Sequence, residues 1–153
     1  MNPIQGRLQT AEHILSRTLE SRLPDAKFII AKFEENSGRM ETATKEDLRK
    51  INRTALKDDV NAVIKKNLRV SKHIMSKEDA QKEFDLTRLP SSIEKVRIVE
   101  IEGFDKTPCK DPHVENTGEV GYFEILKVER VGKDRYRFVF QWSRSSHDLL
   151  EPN

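Results

Sequence analysis

The sequence predicts an α+β fold, a two-layer sandwich with a largely antiparallel sheet and helices packed on one face. Apolar residues recur at helical spacing in two separate stretches. Between and after them, short β-prone runs are joined by tight turns, which favours antiparallel pairing. The 153 residues show no internal repeat and no linker-like segment. We therefore expect a single domain over residues 1–145, followed by a polar tail over residues 146–153.

The first helix is predicted over residues 8–23. Leu8, Leu15 and Leu19 belong to an apolar stripe at helical spacing, and Pro24 ends the segment. Gln9 and His13 are four residues apart, so they share a face turned away from that stripe. His13 is either an exposed helix histidine without a role or a ligand offered from a helix that packs on the core.

A strand pair over residues 27–34 and 39–42 precedes a long second helix over residues 45–66. Thr44 and Asp47 form a capping arrangement at its expected start. Lys65 and Lys66 suit the carboxyl end of this helix, and the cations of the region are also candidates for contacting RNA. They are Arg49, Arg53, Lys57, Lys65, Lys66 and Arg69.

The second half of the chain is predicted to be mostly strand. Residues 95–102 are apolar on both faces, which is typical of a central strand. Tyr136, Phe138, Phe140 and Trp142 alternate, so they lie on one face of the last strand. In order, the elements are a strand (68–75), a short helix capped by Ser76 (77–84), the central strand, a loop (103–116) and a hairpin (120–131 and 135–142).

Composition limits the function classes. The net charge of +2 argues against a highly charged nucleic-acid coat but permits a local basic patch. No run is long enough to span a membrane, so we expect no membrane partner. A single cysteine excludes an internal disulfide and fits a reducing compartment, which predicts a cytoplasmic protein. The oligomeric state stays open between a monomer and a weak dimer.

The most informative stretch holds that cysteine. Cys109 lies four residues before His113, and Pro112 keeps Asp111 out of helical geometry, so the pair occupies a stiff loop. Taken alone, such a pair is more often incidental. With His13, however, the chain offers three ligands, and three ligands leave the open position typical of catalytic zinc. A Cys–His nucleophilic pair ranks lower, because sequence cannot show a lowered thiol pKa.

The loop continues into a more specific string, Cys-x-x-x-His-x-x-x-Thr-Gly-Glu-x-Gly over residues 109–121. This string resembles the editing domains of alanyl- and threonyl-tRNA synthetases, and most closely the free-standing AlaX proteins of the short type. That family pairs His-x-x-x-His on the first helix with Cys-x-x-x-His in a later loop. The likeness extends over nearly the whole chain in the order and length of its elements.

The resemblance implies a trans-editing hydrolase that cleaves the ester of mischarged Ser-tRNA(Ala) or Gly-tRNA(Ala). Small amino acids need such a second site, because one pocket cannot reject a near-isostere strongly. Glu12 would contact the substrate amine or orient a water, unless it is a solvated helix glutamate. The implied zinc ligands are His13, Cys109 and His113; the implied catalytic residues are Glu12, His13, Thr117 and Gly118; and the implied substrate-binding residues are Gln9, Thr10, Thr117 and Gly118.

Gln9 departs from the family pattern, because it stands where the family has its first metal histidine. Glutamine is a poor zinc ligand, so the site has either three ligands and a water, weak affinity, or no metal. Three alternatives to tRNA(Ala) editing stay open, of which Gln9 favours the second. They are an editing domain acting on Ser-tRNA(Thr), a zinc- and tRNA-binding relative without turnover, and a zinc-stabilised structural domain.

Overall fold

The fold was described from a computed structural model, which covers residues 6–87 and 89–144. The predicted polar tail, residues 146–153, lies outside the described residues, and so does the end of the predicted domain at residue 145. Within the described part, no helix is long and apolar enough to cross a membrane.

The described residues form helices and strands in the following order. The elements are α1 (Arg7–Arg22), β1 (Lys27–Phe33), β2 (Ser37–Ala43), a 3-10 turn (Leu48–Lys50), α2 (Arg53–Lys65), β3 (Val70–Ser76), α3 (Lys77–Gln81), β4 (Lys95–Ile101), β5 (Asp105–Pro108), a second 3-10 turn (Thr117–Val120), β6 (Tyr122–Gly132) and β7 (Arg135–Ser143).

The strands form two antiparallel sheets, which confirms the predicted α+β class. The larger sheet has the order β1-β2-β7-β6, and the smaller has the order β3-β4-β5. Strand β4 is central in the smaller sheet, as its two apolar faces predicted. Val99 and Ile101 contribute to the main core, whereas Val96 and Ile98 belong to a second apolar cluster beside α3.

The main core lies between α1, α2 and the larger sheet. Ile14 and Leu15 of α1 are fully buried, as are Phe138 and Phe140 of β7. The alternation predicted for β7 is confirmed, because Tyr136 is buried on the same side. One face of α1 is thus committed to the core. The other face is free to carry polar groups.

The predicted start of the second helix, residue 45, was wrong. Asn52 caps α2 by accepting a hydrogen bond from the Ala55 amide at 3.0 Å. Ile51 before it is extended, with φ −65° and ψ 147°. The Thr44 hydroxyl donates instead to Asp25 Oδ1 at 2.6 Å. Asp47 instead caps the 3-10 turn that occupies the gap, by accepting a hydrogen bond from the Arg49 amide at 3.0 Å.

The predicted loop over residues 103–116 contains a strand that the sequence did not indicate. Strand β5 pairs with β4, so that Asp105 lies opposite Ile101 and Pro108 opposite Ile98. Its four residues lack the apolar alternation of a strand. Pairing with a neighbouring strand, rather than local preference, therefore sets its conformation. The strand ends one residue before Cys109 and so positions that side chain.

A candidate metal centre beside an acidic cavity

The amino end of α1 packs directly against the loop that carries His113. Gly6 has φ +92°, and its carbonyl accepts a hydrogen bond from the Thr10 amide at 3.0 Å. A Cβ atom at Gly6 would lie 2.7 Å from the His113 carbonyl carbon. Only glycine combines this backbone conformation with so close an approach. The helix face bearing Thr10 and His13 is therefore held against the loop.

Side chains and backbone of the smaller sheet fix the path of the loop. Arg97 Nε donates to the Cys109 carbonyl at 2.9 Å, and its guanidinium also donates to the Asp111 carbonyl. The Cys109 amide donates back to the Arg97 carbonyl at 3.0 Å. Lys72 Nζ lies 3.5 Å from the His113 carbonyl oxygen. Both metal-binding candidates of the loop thus have an anchored backbone.

The Thr-Gly-Glu continuation fastens the loop to the end of α2. The Thr117 hydroxyl is fully buried; it accepts from the Leu68 amide at 2.8 Å and lies 3.1 Å from the Val63 carbonyl oxygen. The Gly118 amide donates to Asn67 Oδ1 at 3.1 Å. Glu119 Oε2 accepts from the Asn116 amide at 2.8 Å. This motif therefore has a clear structural role in the fold.

His13, Cys109 and His113 meet in one cluster. Their potential ligand atoms all lie within 4.8 Å of one another. The two imidazole rings are edge to face, with centroids 4.5 Å apart. His113 Nε2 lies 3.5 Å from Cys109 Sγ, and its other nitrogen, Nδ1, lies 2.9 Å from the Thr10 hydroxyl. Thr10 therefore orients the His113 ring toward the thiol.

Burial keeps both imidazoles neutral. It lowers the pKa of His13 to about 4. Burial, with His13, Arg97 and Lys72 nearby, lowers the pKa of His113 to about 2. Burial also raises the pKa of the Cys109 thiol. Each neutral ring keeps a lone pair at pH 7, so two imidazoles and one thiol form a donor set that suits zinc. Metal uptake would require loss of the thiol proton.

One ring nitrogen of His13, Nδ1, is buried and has no hydrogen-bond partner in the described part of the chain. A buried nitrogen without a partner is costly, so it calls for a neighbouring group at that nitrogen. The donor set of two neutral imidazoles and one thiol is what makes the residues present fit a metal ion. Gln9, on the same helix, is partly exposed and does not figure among the described residues that line the adjoining cavity.

A cavity of about 540 Å³ adjoins the cluster, with His13 and Cys109 in its wall. Carboxyl groups are the dominant charged groups of its lining. They are Glu12, Glu20, Asp85, Asp105 and Asp111, against the two cations Arg17 and Lys27. The cavity therefore favours a small, positively charged group beside the candidate metal centre.

Glu12 is buried rather than solvated. It is 8% exposed, and its Oε2 accepts a hydrogen bond from the Ser16 hydroxyl at 2.8 Å. Burial raises its pKa to about 8, with the hydrogen bond from Ser16 acting in the opposite direction. At neutral pH the carboxyl is therefore protonated unless a cation approaches. The helical pattern of the sequence places residue 12 beside His13, but it does not predict that the Glu12 side chain is buried.

Thr117 and Gly118, which the resemblance implies as catalytic and substrate-binding residues, lie away from the cavity in the described structure. Neither is among the described residues lining the cavity, and both are hydrogen-bonded to the end of α2 and the residues that follow it. Thr10 contacts His113 rather than open space. Their catalytic and substrate-binding roles stay predictions. Asp105, which sequence reasoning missed, faces His13 and the cavity. Its position depends on β5, which carried no sequence signal.

Comparisons with known proteins find similar editing domains. Residues 96–139 match the threonyl and alanyl tRNA synthetase second additional domain. The chain is 36% identical over 87 residues to the alanyl-tRNA editing protein AlaX-M of Saccharolobus solfataricus, covering 54% of this chain and 37% of that protein. These matches support a likeness to AlaX-like alanyl-tRNA editing domains.

The alanine–tRNA ligases extend the likeness toward the amino end. That of Borrelia garinii subsp. bavariensis is 32% identical over 130 residues, which is 80% of this chain and 21% of the enzyme. That of Methanopyrus kandleri is 33% identical over 98 residues, which is 61% of this chain and 10% of the enzyme. This chain thus spans about a fifth or less of the ligases it matches.

Proposed function

We propose that the protein is an aminoacyl-tRNA deacylase that hydrolyses the ester of mischarged Ser-tRNA(Ala) or Gly-tRNA(Ala). One observation carries the proposal: His13, Cys109 and His113 converge at the wall of an acidic cavity of about 540 Å³. The printed names of its relatives, alanine–tRNA ligases and an alanyl-tRNA editing protein, support tRNA(Ala) as the RNA.

The acidic lining supports an aminoacyl ester as the ligand, because such an ester carries an α-ammonium group. Glu12 and Asp105 lie in the wall beside His13. An arriving ammonium group favours ionisation of Glu12, whose buried carboxyl is otherwise protonated at neutral pH. The ammonium group would thus pair with the Glu12 carboxylate, which ionises when the substrate binds. The volume fits a small amino acid with its ribose.

Hydrolysis requires water to add to the ester carbonyl carbon and the bond to the ribose oxygen to break. The ribose oxygen then takes a proton, and the amino acid leaves as a carboxylate. His13, Cys109 and His113 would hold a zinc ion, which when bound supplies a Lewis acid beside the ester. Glu12 and Ser16 would orient a water or the ammonium group through their hydrogen-bonded pair.

The RNA itself requires a surface with positive charge. Arg53, Lys65 and Arg69 are exposed along and after α2, as the sequence predicted for RNA-contacting cations. Lys57 lies over the Tyr122 ring at 5.8 Å, and Arg49 pairs with Asp47 at 2.9 Å. Lys57 and Arg49 are thus partly engaged within the protein. We propose that the exposed cations contribute salt-dependent affinity for tRNA.

The decisive experiment measures amino-acid release from seryl-, glycyl- and alanyl-tRNA(Ala) and from seryl-tRNA(Thr). We expect release from the first two and none from correctly charged alanyl-tRNA(Ala). Cys109→Ala and His113→Ala should reduce release to the rate without protein, whereas His73→Ala, on the exposed side of β3, should match the wild type. Release from seryl-tRNA(Thr) alone would show that the substrate is mischarged tRNA(Thr) rather than tRNA(Ala). No release from any of the four would reject the deacylase.

A second candidate is a tRNA-binding relative without turnover, favoured by Gln9 in place of a metal histidine. It predicts tRNA binding that weakens steeply with salt while no amino acid is released. Metal analysis separates the parts of the proposal, because the purified protein should carry about one zinc per chain if three ligands suffice. Zinc content without release would support this second candidate.

A further inference from the structure

Asp105 faces a buried ring nitrogen of the cluster that has no hydrogen bond within the described residues. Its Oδ2 lies 3.8 Å from His13 Nδ1, and the two side chains are 11% and 6% exposed. His13 Nδ1 is buried without a hydrogen bond in the described part of the chain. The pair is thus shielded from water and just beyond hydrogen-bond distance.

The carboxyl of Asp105 is itself held in place. Asp105 begins β5 and lies opposite Ile101 of β4, which fixes its backbone. The Thr107 hydroxyl donates to Asp105 Oδ2 at 2.8 Å. A carboxylate oxygen has room for two donors, so Oδ2 can accept from Thr107 and from His13 together. A small side-chain movement would close the remaining gap.

The state of Nδ1 decides what the opposite nitrogen can do. A neutral imidazole carries one proton, so a proton on Nδ1 leaves Nε2 with its lone pair for a metal. His113 already has this arrangement available, because Thr10 lies at its Nδ1 and Cys109 at its Nε2. Metal-binding histidines commonly donate their second N–H to a carboxylate or carbonyl.

We propose that Asp105 is a positioning residue for His13: it accepts a hydrogen bond from Nδ1–H and so directs the lone pair of Nε2 to the metal. The role given to Asp105 rests on the proposed metal site, whereas its position beside His13 does not depend on a metal. The carboxylate of Asp105 does not join the three ligand atoms that lie within 4.8 Å of one another in the described residues. It therefore acts through His13. With Gln9 on the same helix, His13 is the single imidazole that α1 supplies.

The first test needs no metal. Long-range ¹H–¹⁵N spectra of the metal-free protein report which ring nitrogen of each histidine is protonated, and His13→Gln identifies the His13 signals. We expect the Nδ1–H form in the wild type and a shift toward Nε2–H in Asp105→Ala. Asp105→Asn, which keeps an acceptor oxygen, should restore part of the Nδ1–H population. An unchanged tautomer in a folded Asp105→Ala would overturn the inference.

The second test measures zinc affinity by competition with a chromogenic chelator. Asp105→Ala should bind zinc about 10- to 100-fold more weakly, the usual effect of removing such a partner. Glu20→Gln is the matched control, because it removes one carboxylate from the same cavity without touching His13; its affinity should equal the wild type's. Equal losses in both variants would overturn the inference in favour of general cavity charge. A wild type that binds no zinc would reject the metal site, while the tautomer measurement still decides the role of Asp105 at His13.

Discussion

His13 and His113 are both buried, both neutral at pH 7 and both part of one cluster, yet they are held in different ways. His113 is fixed at its ring by Thr10 at 2.9 Å and near its backbone by Lys72 at 3.5 Å. His13 has a rigid helix beneath it, but its Nδ1 makes no hydrogen bond within the described residues. A loop ligand needs side-chain anchors to hold its backbone, whereas a helix ligand inherits its backbone position from the helix and needs an anchor only at its ring.

This difference also explains where the family signature is dense. The loop needs many residues to hold it, so residues 109–121 carry an extended motif that fastens to α1, β4 and α2. The helix needs only its apolar stripe to pack, and residue 9 can change without disturbing the fold. Gln9 accordingly departs from the pattern on the less constrained side of the site.

The largest effect is expected from Thr10→Val, which removes the anchor of His113 and makes that ring as free as His13. The hydroxyl also accepts from the Val114 amide at 3.3 Å, so the change leaves a buried donor without a partner. We expect zinc affinity to fall about 10- to 100-fold. We also expect the free energy of unfolding to fall by about 1–3 kcal/mol. Chelator competition and denaturant titration measure the two effects.

Thr10→Ser provides the control, because serine keeps the hydroxyl at the same position. Its zinc affinity should stay close to the wild type's. If Thr10→Val binds zinc as tightly as the wild type, the contrast between an anchored loop ligand and a free helix ligand does not hold, and the loop backbone alone positions His113.

A second, smaller effect is expected from Thr117→Val, which tests the hydrogen bonds that hold the loop to the end of α2. The buried hydroxyl joins the Leu68 amide to the Val63 carbonyl, so its loss should cost about 1–3 kcal/mol of unfolding free energy. Because Thr117 is outside the cavity lining of the described structure, amino-acid release per folded molecule should be unchanged. Denaturant titration and the release assay are compared in one preparation.

Thr117→Ser keeps the hydroxyl and should restore most of the lost stability. A fall in release far beyond the unfolded fraction would instead support the predicted role of Thr117 at the substrate. The experiment therefore distinguishes a residue that holds the loop from one that touches the ester.

The sequence allowed much of this molecule to be predicted, because several signals were local. The stripe of α1 and the alternation of β7 placed the core, and Cys109 with His113 marked the loop of the candidate site. The second helix was misplaced because Thr44 and Asp47 resemble a cap, while Asn52 is the residue that caps α2. Sequence spacing cannot show which of two polar residues captures a helix amide.

Asp105 and the burial of Glu12 escaped prediction for a different reason. Both depend on contacts between segments distant in the chain: β5 forms only by pairing with β4, and Glu12 becomes buried only when the cavity walls assemble around α1. Polar residues in short strands have no periodic apolar signal. Tertiary structure, rather than local preference, creates such groups.

The smallest effect is expected from Gln9→His, which adds a second imidazole to the helix side. Residue 9 lies one turn before His13 on the same face of α1, and it is partly exposed, so the fold should tolerate the change. An imidazole is a better zinc ligand than an amide, so zinc should bind more tightly, by less than the factor lost in Thr10→Val. Ser21→His is the matched control, because it adds an imidazole at an exposed position of the same helix that is not among the described residues lining the cavity. Unchanged zinc affinity in Gln9→His would mean that residue 9 does not reach the metal, and that the three-ligand site is complete without it.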